Sequence, residues 1–115
     1  MQDLAVALES ITRVHGVRGA MVVSVSDGLV VAESLMEDID GAPIAALTAS
    51  LATRLRRTTE AAGRRQPTFL HLRADTGTVL AVPSSGDLLV VAIGEQDVNV
   101  GLARLEMLHL AERGI

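Results

Sequence analysis

Two stretches of this 115-residue chain, AMVVSV at 20–25 and DLLVVAI at 87–93, are almost wholly apolar on both faces of an extended strand. A strand with one wet face alternates apolar and polar residues, whereas these two need cover above and below. Inner positions in a sheet with helices on both sides meet that demand.

The rest of the chain supplies such helices. Leu4, Ala7, Leu8, Ile11 and Val14 recur at helical spacing, predicting a helix over about residues 2 to 15 that ends at His15-Gly16. An extended pattern from Arg18 to Ser26, a two-residue turn at Asp27-Gly28 and the returning strand LVVAES form a hairpin. The acidic stretch LMEDID leads into one long helix, Gly41 to Gly63, with Asp38 or Asp40 near its start and Pro43 in its first turn. PTFLHLR, Pro67 to Arg73, reads as a third strand that sets Thr68, Leu70 and Leu72 against Phe69, His71 and Arg73. Its proline suits an edge. Strands at Thr78–Val82 and Asp87–Ile93 follow tight turns, and a helix from about Val98 to Arg113 closes the chain. The expected fold is therefore α+β, in the order αββαβββα. It is a single domain over 1–115, an antiparallel five-stranded sheet with the first and fifth strands innermost and the second and third at the edges.

The middle helix has two sticky sides. At about 100° per residue, Ile44, Leu47, Leu51, Leu55, Thr58 and Ala62 form one stripe, expected to pack on the sheet. The opposite side carries Ala42, Ala46, Ala49 and Thr53, with Ala45 and Ala52 toward the flank, and becomes charged only at Arg56, Arg57 and Glu60. Alanine is a good helix former anywhere, but a face left to water would carry charge along its whole length. The small side is therefore assigned to a homodimer contact. The third strand joins it as an edge whose backbone groups need a partner, which brings in Phe69, His71 and Arg73. On this reading Ala49→Glu weakens the dimer.

Composition removes several chemistries. There is no Cys, and all ten basic residues other than His are Arg, so thiolate sites, a P-loop lysine and Schiff-base chemistry are excluded. One aromatic residue and a net charge of −4 oppose nucleic-acid binding. His15, His71 and His109 are scattered, so no metal site is expected, and no cofactor. With neither a basic start followed by an apolar run nor a membrane-length apolar segment, a cytoplasmic protein is expected. The main charge anomaly is Arg54, Arg56, Arg57, Arg64 and Arg65 against Glu60. These arginines either complement a helix C-terminus or, through Arg54, Arg56 and Arg57, bind an acidic partner.

The pattern αββαβββα, the hairpin GVRGAMVVSVSDGLVVAES, the Ala/Leu middle helix and DLLVVAIGEQDVNVGLARLEM together resemble the Roadblock/dynein light chain family, including the bacterial MglB-like regulators of small Ras-like GTPases. The resemblance spans nearly the whole chain. It implies a profilin-like sheet with the middle helix on one face and the terminal helices on the other. It also implies dimerisation through middle helices and third strands, and a partner GTPase that is remodelled rather than supplied with an arginine finger. The expected function is a non-enzymatic homodimeric regulator or scaffold. The alternatives are a small-molecule sensor and a purely structural dimerisation domain.

Overall fold

In the computed structural model, which describes residues 4–63, 65–84 and 86–113, each apolar run becomes a strand and each amphipathic run a helix. The elements are α1 (Leu4–Ala7), α2 (Glu9–Thr12), β1 (Val17–Ser24), β2 (Val30–Leu35), α3 (Gly41–Ala61), β3 (Leu70–Ala74), β4 (Gly77–Pro83), β5 (Leu88–Gly94) and α4 (Val100–Glu112). Met1 to Asp3, which the first predicted helix included in part, and Arg64 and Ser85 lie outside the described residues.

The five strands form one sheet in the order β2-β1-β5-β4-β3, every pair antiparallel. The two doubly apolar strands are thus neighbours in its interior, and β2 and β3 are the edges. Alternation divides the strands between two cores. Ala20, Val22, Val90 and Ala92 pack with Leu8, Ile11, Ala103, Met107 and Leu110 of the terminal helices. Met21, Val23, Leu89 and Val91 pack with Ala45, Ala49 and Ala52 of α3. The expected three layers are present.

Several boundaries depart from expectation for local reasons. The first helix is split at Leu8, because Ser10 Oγ donates to Ala7 O at 3.1 Å and the Ile11 amide turns to Leu8 O at 3.1 Å. The hairpin loop is longer than the predicted two residues, spanning 25–29. Val25, whose amide points to the β5 side, continues the β1–β5 register by donating to Asp87 O at 2.8 Å. β3 starts at Leu70 because in register Thr68 would face Pro83, and the prolines at 67 and 83 bring no N–H to a ladder. Val98 precedes α4 rather than opening it. It is a buried plug whose Cα lies 2.6 Å from where a Cβ on Gly16 would be, so Gly16, at φ +85°, admits no side chain. Asn99 caps α4, its Oδ1 accepting from Leu102 N at 3.1 Å, and Asp40 caps α3, accepting from Ala42 N at 3.3 Å. Asp38 instead accepts from Arg18 Nη2 at 2.7 Å.

Candidate protein-interaction site

The long helix α3 meets the sheet through its small residues. Gly41, Ala45, Thr48, Ala49 and Ala52 are buried, with Ala45 and Ala49 at 0% and 3% exposure. Leu47 and Leu55 are 52% and 37% exposed, and Ile44 and Leu51 are half-buried. The assignment of faces made from the sequence is therefore corrected by roughly a quarter turn of the helix. Ala45 and Ala49 belong to the core of one chain and are unavailable to a second copy, and the leucine stripe is not the sheet-facing side. The reason is distance. The sheet already presents Met21, Val23, Leu89 and Val91, and a helix that lies close over such side chains needs small ones of its own. Thr48 fits because its hydroxyl proton is shared between Ile44 O at 2.9 Å and Ala45 O at 3.1 Å, so its own buried oxygen is not left alone.

A backbone does come close to the alanine side, but it is the chain's own hairpin tip. Gly28, at φ +71°, sits where an added Cβ would be 3.4 Å from Ala46 Cα and 3.8 Å from Ala49 Cβ. Of the other residues assigned to a dimer on this side, Ala42 and Ala46 are exposed and Thr53 is half-buried, its hydroxyl donating to Ala49 O at 3.0 Å.

Because α3 packs mainly over β1, β2 and β5, the same face of β3 and β4 is sealed only at Leu70 and Ala81, which are buried with Ala52, and is left half-open at Leu72 and Val79. Beside the leucine flank lies a groove of about 380 Å³ whose lining includes Leu47, Ile39, Leu72, Val79 and Ile93, with Arg18 and Asp38. Beyond it runs the bare edge of β3, which pairs with β4 over Leu70–Ala74 without irregularity. The other edge differs. The β1–β2 register shifts between Val22 and Val23, leaving Val31 as an extra residue, the kind of bulge that blunts an edge. On β3, His71 and Arg73 are exposed and Arg73 Nη2 donates to Gln96 O at 3.4 Å. Phe69, just before β3, is half-buried with the Arg104 guanidinium 5.1 Å over its ring. Leu72, on the face toward α3, was missed as a contact residue. The alternation of PTFLHLR already put it with Leu70.

The arginines separate as well. Arg54 and Arg57 are exposed and line a cleft of about 340 Å³ between α3 and the hairpin tip, with Ser26, Asp27, Ser50 and Thr53. Arg56 is half-buried in a small crevice with Ala52, Gln66, Pro67, Leu70 and Pro83. None of the three makes an ion pair among the described residues. The last turn of α3 carries no basic residue, so these arginines do not cap the helix dipole, whose effect fades within one turn. Asp87, beside the tip, is held below the ordinary carboxylate range, first by hydrogen bonds from the Ser26 side chain and amide and then by the Arg56 charge.

Among the described residues no three His, Asp or Glu side chains come together as metal ligands, and no helix is long and apolar enough to cross a membrane. The sequence profile of the Roadblock/LC7 domain matches residues 4–93. The chain belongs to the Roadblock/LC7 family. A curated relative of this roadblock domain, the uncharacterised protein MJ0714 of Methanocaldococcus jannaschii, is 29% identical over 106 residues, covering 92% of this chain and 88% of the relative. Among solved structures, a Roadblock/LC7 domain from Streptomyces avermitilis superposes with a TM-score of 0.86 at 17% identity, over 97% of this chain and 94% of that one. Myxococcus xanthus MglB superposes with a TM-score of 0.83 at 14% identity, over 95% and 89%. At such identities these likenesses show the fold.

Proposed function

We propose that this roadblock domain is a non-enzymatic homodimeric regulator or scaffold that binds a small Ras-like GTPase and modulates its GTP hydrolysis. The observation that carries the proposal is the division of α3 into two accessible flanks, one apolar and one cationic. The leucine flank, the groove over Leu72 and Val79 and the regular β3 edge are continuous, and a second copy related by a twofold axis buries all three at once. Phe69, just before β3, and the β3 residues His71 and Arg73 stay in this proposed interface, and Leu47, Leu51, Leu55 and Leu72 replace the buried alanines.

On the other flank Arg54 and Arg57 make no ion pair among the described residues and present positive charge in a protein of net charge −4, the chemistry that steers an acidic surface. Family membership and the likeness to MglB favour a small GTPase as its owner. The chain works in the cytoplasm on this reading. Two measurements test it. Mass in solution should be about twice 12.1 kDa, and a monomer at every concentration removes the dimer. Pull-down of a Ras-like GTPase from the same organism, in GDP and GTP forms, should retain it, with the hydrolysis rate changed. Retention without a change in rate leaves a scaffold, and no retention in either form removes the GTPase partner.

A further inference from the structure

The cleft of Arg54 and Arg57 has a second wall, the hairpin tip Val25–Gly28. One residue ties that tip to the rest of the sheet by hydrogen bonds. Asp87 O accepts from Val25 N at 2.8 Å, and Asp87 Oδ2 accepts from Ser26 N at 2.9 Å. The other hydrogen bonds of the tip among the described residues are internal to the hairpin: Gly28 N to Ser24 O at 2.9 Å, Leu29 N to Asp27 Oδ1 at 3.1 Å, and Ser24 Oγ with Ser26 Oγ at 3.4 Å. They shape the loop without setting its distance from α3. Asp87 sits in the turn before β5, so it couples the tip to the sheet.

We infer that Asp87 is a positioning residue for the partner, holding the hairpin tip at the distance from α3 at which an acidic segment of a protein, its carboxylates on Arg54 and Arg57, fits between the two walls. The inference rests on the partner-binding reading above. Charge complementarity names the occupant: two guanidiniums that pair with no carboxylate among the described residues stand over a cleft whose other polar groups include the Ser26 and Ser50 hydroxyls. Asp27, the carboxylate on the opposite wall, already accepts from Leu29 N. Arg56 has a different part. It lines the crevice with Pro67 and Leu70, and its charge bears on Asp87. The three neighbouring arginines thus divide into two that meet the partner and one that supports the wall.

The test uses the full chain as Asp87→Ala, Asp87→Asn, the pair Arg54→Ala with Arg57→Ala, and Asp87→Ala on that pair. The probes are a hexaglutamate peptide and a Ras-like GTPase from the same organism. Asp87→Ala should weaken both by about tenfold with the solution mass unchanged, while Asp87→Asn, whose amide oxygen still accepts from Ser26 N, stays within about threefold of the parent. On the double-arginine background Asp87→Ala should add nothing, because the wall then has no ligand to position. Amide exchange at 26–29 in the free protein should speed up in Asp87→Ala and not in Asp87→Asn. Parental affinity in Asp87→Ala, an equal loss in Asp87→Asn, an additive loss on the double-arginine background or unchanged exchange overturns the inference. A parent protein that binds hexaglutamate but no GTPase removes the proposed function and keeps the acidic-segment cleft, whereas one that binds neither removes both.

Discussion

Leu47 and Ala49 are two residues apart on α3 and live in opposite surroundings, one half in solvent and the other sealed against the sheet. Spacing alone sorted the helix correctly into a leucine group and an alanine group. Which group meets the sheet was not legible, since hydrophobicity favours leucine inside whereas the close approach of α3 to Met21 and Val91 demands alanine. The two substitutions therefore part ways. Ala49→Glu places an unpaired carboxylate in the core and should cost about 3 kcal/mol or more in urea unfolding. Leu47→Glu should leave the monomer within about 0.5 kcal/mol of the parent and halve the solution mass. An Ala49→Glu protein as stable as the parent would return that side of the helix to the surface. Asp87 yields a pH test. Its carboxyl titrates lower in the folded chain than in the unfolded one, so its contact with Ser26 contributes fully above the unfolded value. The contribution is lost as pH falls through the folded value. Asp87→Asn should flatten that part of the acid limb in a stability-against-pH series.

At the scale of elements, order and type were legible because each segment carries a strong period and each break a Gly, Pro or Asp. Ends were less so. The hairpin tip is longer than its Asp27-Gly28 pair suggests, and its Ser26 amide is held by Asp87, a residue 61 positions beyond it, a contact no local rule contains. The cap of α3 was legible down to a choice between Asp38 and Asp40, which Arg18 decides by claiming Asp38. Asp40→Ala should thus cost about 1 kcal/mol with an unchanged denaturant m-value, while Asp38→Ala should leave the helix cap intact. The two sheet edges also differ in kind. A bulge at Val31 protects β2, whereas β3 runs regular and open beside the leucine flank.

For the whole molecule the consequence is an assembly that adds to stability. If the leucine flank and the β3 edge bury each other's copies, the melting temperature should rise with protein concentration, and Leu47→Glu should abolish the rise. A concentration-independent melting point in the parent protein would leave the groove to another occupant. The sequence by itself determined the three layers, the inner places of β1 and β5, the edge place of β3 and the family, because apolar periodicity and turn residues act over a few neighbours. Only the tertiary structure decided the rotation of α3, the tie from Asp87 to the hairpin tip and the separation of Arg54 and Arg57 from Arg56. Each depends on how closely segments distant in the chain approach one another, a distance set by the packing of side chains from several elements at once.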